Sequence, residues 1–268
     1  MLRLWPEPFT GQSISHWEVT VNDAPVRAGP RNGYGERTAL WTGSGFDGAL
    51  NISASGSVEC ENRAGVVAGL TSRIEPAVFL RATRRTRADK AIRELGGGVP
   101  GNDRLAWLHA LMADVRARIA YQSGTTTMDT SAADALAAGS GVCQDQAHAF
   151  IAAARAHGIP ARYVVGYLHA ADEHYALHET HAWAEAWLDG LGWVGFDPSN
   201  GVCPTERYVR LCTGFDAVDA APIRGHASGG GALGLYADVR ITPGEAPLLA
   251  DRPIDVAARD LQTRIQQQ

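Results

Sequence analysis

The sequence predicts an α+β fold, in which a β-rich N-terminal part precedes a core built from helices and strands. Near the N-terminus, apolar and polar residues alternate in HWEVTVNDAPV and ALNISASGSVEC, as they do in half-buried strands. Between Leu105 and Ile119, apolar residues recur every three or four positions, which indicates an amphipathic helix. Short strand-like runs, ARYVVGYLHA, HAWAEAWL and WVGFDP, follow further along the chain.

Changes in composition divide the chain into four regions. Residues 1–80 form the expected β-rich N-terminal domain, punctuated by turn clusters such as AGPRNGYG. Residues 81–102 are a predicted linker, which contains a charged run that we interpret as solvated surface and the segment GGGVPGN. Residues 103–225 are the helix-and-strand core. Residues 226–268 supply a last strand, GLYADVRITP, and a tail that could pack on the N-terminal domain.

Three helices are predicted within the core, each with local start or stop signals. Asn102 or Asp103 can cap the first helix. Thr130 or Ser131 can cap the second, which lies in DTSAADALAAG and stops at the glycine. The third begins in GVCQDQAHAF and ends at AHGIP, where the glycine terminates the helix and the proline prevents its resumption.

The composition excludes several classes of function. Of the 268 residues, 45% are hydrophobic and 20% are charged, which is typical of a globular protein with a full core. The net charge is −5 and no basic block occurs, so we expect no nucleic-acid partner. No run of about 18 apolar residues indicates a membrane span. Since MLRLWPEPFTGQ lacks the pattern of a signal peptide, we expect a cytoplasmic protein.

Four cysteines occur, and they follow no CxxC or CxxH spacing. We therefore expect no metal site, no cofactor and no disulfide framework, but free thiols in a reducing compartment. The cysteines are Cys60, Cys143, Cys203 and Cys212. Cys203 and Cys212 lack a helix-start context, so we interpret both as structural.

Cys143 stands out because it falls at the predicted start of the third helix. Helical phasing places it on one face with Gln146, Ala147 and Phe150, a face that is apolar beyond its first turn. Unpaired N–H groups and the positive end of the helix dipole meet at this tip. Both stabilise a thiolate, and the N–H groups can also bind an oxyanion. A buried free cysteine is also a common core residue, so the nucleophile and the structural interpretation both stay open.

A base for this thiol is available in the hairpin that HAWAEAWL and WVGFDP would form. If the hairpin is symmetric about Gly190, Trp183 lies opposite Asp197, and His181 lies on the same face one diagonal step away. Asp197 could then orient His181 toward Cys143, whereas a register slip of one residue would separate them.

Other interpretations of the same residues stay open. His181 could be an ordinary strand histidine with one hydrogen bond, and Asp197 could begin a turn before proline. His174 and His178 are rival bases, both in a predicted loop.

The strings GVCQDQAHAFIAAARAHGIPARYVVGYL and THAWAEAWLDGLGWVGFDPSNG resemble the transglutaminase-like superfamily of thiol acyl-transferases, in that family's Cys, His, Asp order. The resemblance covers about residues 103 to 201, and bacterial members of this type are usually described as cysteine proteases. It implies Cys143 as the nucleophile, His181 as general base and acid, and Asp197 as the residue that orients His181. It also implies a papain-like core, in which the cysteine helix packs on an antiparallel sheet, with a β-sandwich-like N-terminal domain.

The chemistry that the resemblance implies is acyl transfer from a peptide or protein substrate through a thioester on Cys143. The backbone N–H of Cys143 would stabilise the oxyanion with a second donor, for which Gln144, Tyr121 and Trp107 are candidates. Trp183 is expected to support the site. Water as the acceptor gives a peptidase or amidase, which we favour, and a lysine amine gives a protein-glutamine transferase. A non-catalytic peptide-binding module is the third interpretation, which the presence of all three residues weakens.

Overall fold

The computed structural model of the protein describes residues 1–44, 50–169, 180–226 and 237–242, which form helices and small β-sheets. The α-helices are α1 (Lys90–Arg93), α2 (Arg104–Arg118), α3 (Ala132–Ala138) and α4 (Cys143–Ala156). The strands are β1 (Gln12–Val21), β2 (Ala24–Pro25), β3 (Ile52–Cys60), β4 (Val66–Val67), β5 (Ala120–Tyr121), β6 (Ser140–Gly141), β7 (Ala161–Leu168), β8 (His181–Leu188), β9 (Gly192–Phe196) and β10 (Tyr208–Gly214). Two 3-10 turns, Pro76–Leu80 and Leu95–Gly97, lie between β4 and α2.

A five-stranded antiparallel sheet, ordered β10-β7-β8-β9-β4, forms the centre of the molecule, and α4 packs across it. The β8 residues that share a buried core with α4 are small: Ala182, Ala184 and Ala186 lie together with Phe150 and Ile151 of the helix. Small strand side chains let the helix approach the sheet closely. Burial of each large helix side chain then contributes about 1.5–3 kcal/mol. The predicted α+β core, with the cysteine-bearing helix packed on an antiparallel sheet, is confirmed.

Side-chain caps fix the helix boundaries that the sequence predicts. Asp103 accepts a hydrogen bond from the N–H of Ala106 at the start of α2, and Ser131 caps α3 through the N–H of Asp134. Gly139 follows α3 in the left-handed conformation, with a φ of 68°. Each cap stabilises its helix by about 1 kcal/mol. Together they determine where the chain enters the short turn before α4.

The N-terminal region contains a three-stranded antiparallel sheet, ordered β2-β1-β3, and it also contributes one strand to the central sheet. This sheet is the part of the expected β-sandwich-like domain that the described residues contain, and the sandwich itself stays a prediction. β4 pairs with β9 because Gly65 approaches that strand closely, and its carbonyl accepts a hydrogen bond from the N–H of Gly195 at 2.9 Å. A Cβ at Gly65, whose φ is 79°, would lie 2.9 Å from the Gly195 oxygen, so glycine is required. This pairing crosses the expected boundary at residue 80, and the domain bounds stay predictions.

The C-terminal elements are described only in part. Residues 237–242 of the predicted strand GLYADVRITP have no regular secondary structure, and residues 231–236 lie outside the described ranges, as does the tail over residues 255–268. Of the helices in the described ranges, none has the length and apolar content needed to cross a bilayer.

Glu185 of β8 pairs with two buried arginines on the sheet face away from α4, since side chains alternate along the strand. Arg162 of β7 donates from Nε to Oε2 at 2.7 Å, and Arg210 of β10 donates from Nε to Oε1 at 2.8 Å. All three side chains are at most 5% exposed. Burial alone would raise the pKa of Glu185, but the charges of Arg210 and Arg162 hold it below its usual value. The ion cluster therefore ties three neighbouring strands together.

Glu185→Gln should lower the free energy of unfolding by about 3–5 kcal/mol, because it leaves two buried guanidinium groups without a counter-charge. Urea unfolding followed by circular dichroism measures this loss. The matched control is Glu94→Gln, which removes the carboxylate of an exposed pair with Lys90 at 3.9 Å. It should change stability by less than about 1 kcal/mol. Equal effects of the two substitutions would contradict the prediction.

Candidate active site

Cys143 is the first residue of α4, and the turn that precedes it is fixed by a side chain of the helix. Asp145 in the first helical turn accepts a hydrogen bond from the N–H of Val142 at 2.8 Å. A Cβ at Gly141 would lie 2.8 Å from the Asp145 carboxylate, so glycine lets the chain pass beside it. The half-buried thiol thus sits at a helix N-terminus, where unpaired N–H groups and the helix dipole favour a thiolate.

The hairpin of β8 and β9 has the register that was assumed from the sequence, symmetric about Gly190. The paired residues are Ala184 with Phe196, Glu185 with Gly195, Ala186 with Val194, Trp187 with Trp193, and Leu188 with Gly192. His181 begins β8 and Asp197 follows β9, so this register brings the two onto the same side. His181 Nε2 lies 2.7 Å from Asp197 Oδ2.

The His181 ring lies between Asp197 and Cys143. The side chains of His181 and Asp197 are 4% and 0% exposed. Asp197 engages Nε2, and the Cys143 thiol interacts with the same ring. Burial alone would lower the pKa of His181, but the hydrogen bonds with Asp197 and Cys143 raise it to about 10. The ring is therefore protonated at neutral pH.

Asp197 is held by further donors that sequence reasoning missed. Its Oδ2 accepts hydrogen bonds from Asn200 Nδ2 at 2.6 Å and from the Tyr208 hydroxyl at 2.7 Å, and its Oδ1 accepts one from the N–H of Ser199 at 3.0 Å. Burial alone would raise the pKa of Asp197, but His181 and these donors hold it below its usual value. The turn-forming sequence DPSN is the signal that could have indicated the Asn200 contact. Tyr208 belongs to a different strand, and no local pattern reveals it.

Trp183 packs beside the imidazole of His181. The two ring centroids are 6.2 Å apart and the ring planes are inclined by 26°. Tyr208 packs edge-on against Trp183, with centroids 5.5 Å apart. A Cβ at Gly166 of β7 would lie 2.6 Å from the indole, so this glycine makes room for the ring. The aromatic contacts limit rotation of the imidazole.

The structure separates the three candidates for the second oxyanion donor. Tyr121 lies beside the glycine that ends β6, two positions before Cys143, and Gln144 follows Cys143 in α4. Trp107 lies in α2, where its indole N–H donates to the carbonyl of Gly98 at 2.9 Å. Since an indole has no second donor, this hydrogen bond occupies the side-chain N–H of Trp107, and the identity of the second oxyanion donor stays a prediction.

The other three cysteines occupy environments unlike that of Cys143. Burial raises the pKa of Cys60 to about 11 and also raises the pKa of Cys203. Cys212 is fully buried, its thiol donates to the carbonyl of Arg3 at 2.8 Å, and burial raises its pKa as well.

The sequence also offers two rival general bases and predicts no metal site. The rival bases His174 and His178 lie outside the described residues. Within the ranges that the structure describes, no group of three or more His, Cys, Asp or Glu side chains is placed to hold a metal ion.

Comparison with known proteins gives one family match and several relatives. Residues 94–198, which include Cys143, His181 and Asp197, match the model of the Transglutaminase-like superfamily. An uncharacterized protein of Mycobacterium leprae is 43% identical over 131 residues, which are 47% of this chain and 46% of that protein. The chain thus covers less than half of that relative's length.

Two other similar proteins have names that state an activity. A protein-glutamine gamma-glutamyltransferase of Pseudomonas aeruginosa is 41% identical over 71 residues, which are 24% of this chain and 11% of that protein. The crystal structure of a proposed cysteine protease from Cytophaga hutchinsonii superimposes with a TM-score of 0.60 and 25% identity, over 82% of this chain and 77% of that one.

Cys143 should be the thiol that reacts fastest with iodoacetamide at neutral pH. It adjoins a protonated imidazole at a helix N-terminus, whereas burial raises the pKa of the other three thiols. Peptide mass spectrometry at successive times measures the alkylation rate of each cysteine. Cys143→Ala should remove the fast phase. Faster modification of Cys60 or Cys212 would contradict the assignment.

The proton on His181 should make stability depend on pH. Its pKa is about 10 in the folded protein and near 6.5 in the unfolded chain, so the folded state binds the proton more tightly. This stabilisation is fully present below about pH 6.5 and is lost as the pH rises through about 10.

Urea unfolding of the wild type and of Asp197→Asn across this range measures the effect. The variant lacks the charge that holds the proton on His181, so the difference in unfolding free energy between the two proteins should shrink as the pH rises. A difference that stays constant with pH would show that Asp197 does not hold this proton.

Proposed function

Since residues 94–198 form a transglutaminase-like domain, we propose that this protein is a thiol-dependent acyl-transfer enzyme that acts on a peptide or protein. Cys143 is the nucleophile, His181 is its acid–base partner, and Asp197 orients His181. The observation that carries the proposal is the buried His181 ring, which bonds Asp197 at 2.7 Å and whose pKa the Cys143 thiol helps to raise. An imidazole between a carboxylate and a thiol is the arrangement that activates the sulfur.

In the first half of the proposed reaction, the Cys143 thiolate attacks the carbonyl carbon of an amide, and the carbonyl oxygen becomes a tetrahedral oxyanion. The N–H of Cys143 has no partner within the helix and donates to this oxygen. The C–N bond then breaks as the imidazolium of His181 gives its proton to the leaving amine. A thioester on Cys143 and a neutral His181 result.

Hydrolysis is the second half-reaction that we favour. Neutral His181 removes a proton from water as the water oxygen attacks the thioester carbonyl. The C–S bond breaks, so the carboxylic acid leaves and the thiolate–imidazolium pair of Cys143 and His181 forms again. The similarity to the proposed cysteine protease of Cytophaga hutchinsonii, which extends over 82% of this chain, supports this choice.

Transfer to an amine is the second candidate. The 71 residues that are 41% identical to the gamma-glutamyltransferase of Pseudomonas aeruginosa favour it. A lysine amine would then replace water at the same thioester. A non-catalytic peptide-binding role is less well supported, because Cys143, His181 and Asp197 form a connected set.

Cys143→Ala should reduce turnover by at least about a thousandfold and leave the fold intact, because no other group can form the thioester. Mass spectrometry of peptides, some of which contain glutamine, identifies the products with and without added amine. Hydrolysis gives acids in both cases, whereas transfer gives a product that carries the amine. Cys203→Ala should retain turnover as the control. Amide cleavage by Cys143→Ala at the wild-type rate would exclude the mechanism.

A further inference from the structure

We propose that Gln146 is a positioning residue that holds Cys143 and the His181–Asp197 pair at a fixed separation by binding Ser199. This role rests on the proposed function, since it concerns the geometry of the same thiol and imidazole. Gln146 would touch neither substrate nor reacting atoms and would act through its two partners.

The side chain of Gln146 is anchored at both of its polar atoms. It lies one turn after Cys143 on the same face of α4 and is 1% exposed. Its Oε1 accepts a hydrogen bond from the hydroxyl of Ser199 at 2.5 Å, and its Nε2 donates to the carbonyl of Ile119 at 2.7 Å. A single buried amide therefore connects α4 with two segments that are distant in sequence.

Ser199 extends this connection to the carboxylate of the site. Its N–H donates to Asp197 Oδ1 at 3.0 Å, and Asp197 Oδ2 bonds the ring of His181. From the helix that carries Cys143, the hydrogen bonds thus run from Gln146 through Ser199 and Asp197 to His181. A shift of Asp197 relative to α4 would therefore lengthen at least one of these hydrogen bonds. Displacement of a catalytic group by about 1 Å can lower a rate about a hundredfold.

The hydrogen bond to the carbonyl of Ile119 fixes Gln146 to a second part of the fold. Ile119 directly follows α2 and leads into β5, which pairs with the strand immediately before Cys143. Arg116, near the end of α2, donates to the carbonyl of Asn200 at 2.6 Å, so α2 also contacts the turn after Asp197. Gln146 thus lies where the nucleophile helix, the α2–β5 junction and the carboxylate turn meet.

The rate at which iodoacetamide alkylates Cys143 across pH tests this role, because the probe requires no knowledge of the substrate. Gln146→Met keeps the side-chain length and removes both hydrogen-bonding groups, and Ser199→Ala removes the partner. Each should slow alkylation at neutral pH about tenfold or more and shift the pH profile toward that of an ordinary thiol. The double variant should be no slower than the slower single variant, since both changes break one link.

Two further variants separate positioning from simple destabilisation. Ser199→Thr keeps the hydroxyl and should retain the wild-type rate. Gln122→Met makes the same change in an exposed side chain and should leave the rate unaltered. Circular dichroism verifies folding, and if Gln146→Met does not fold, Ser199→Ala decides, because Ser199 is only half-buried.

Unchanged rates and pH profiles in the folded Gln146→Met and Ser199→Ala proteins would overturn the positioning role, as would fully additive slowing in the double variant. Failure of the proposed function would look different. Cys143 of the wild type would then react no faster than free cysteine, and His181→Ala would leave that rate unchanged.

Discussion

The register of the β8–β9 hairpin is the constraint on which the site depends. Side chains alternate along a strand, so a slip of one residue would turn His181 to the opposite face and separate it from Asp197. Two features hold the register. The alanines of β8 fit beneath α4, where larger side chains would not, and the connecting turn contains Gly190 and Gly192, both with positive φ. The packing of α4 on β8 thus helps to determine the geometry of the hydrogen bond between His181 and Asp197.

Two buried carboxylates in the central sheet are satisfied in chemically different ways. Glu185 lies between two permanent cations, Arg162 and Arg210, so its charge is neutralised locally and the cluster serves the fold. Asp197 receives hydrogen bonds from the uncharged groups of Asn200 and Tyr208, and it forms an ion pair with His181. Its negative charge therefore remains available to hold a proton on the imidazole. A buried carboxylate thus serves stability at one position and the proton affinity of a histidine at the other.

Local signals in the sequence predicted the helix that carries Cys143, its boundaries and the hairpin register, because caps, glycines and short-range periodicity act within one element. Contacts between elements were not predictable in this way. The bond between Tyr208 and Asp197 joins β10 to the turn that follows β9, and the bond between Gln146 and Ser199 joins a helix to the same turn. Trp107 was a candidate oxyanion donor, but no local pattern could identify the carbonyl that binds its indole. β4 was missed as a member of the central sheet, since a strand of two residues has too little alternation to recognise.

The short β4 strand has a consequence for any shortened form of this protein. Val66 and Val67 pair with the outer edge of β9 through backbone hydrogen bonds. β9 is the strand that leads to Asp197. A chain that began after residue 67 would expose the N–H and C=O groups of β9 as an open sheet edge. Open edges pair readily with strands of neighbouring molecules, which leads to aggregation. The N-terminal segment therefore covers this sheet edge. It prevents the β8–β9 hairpin, which carries His181 and leads to Asp197, from pairing with the sheet of another molecule.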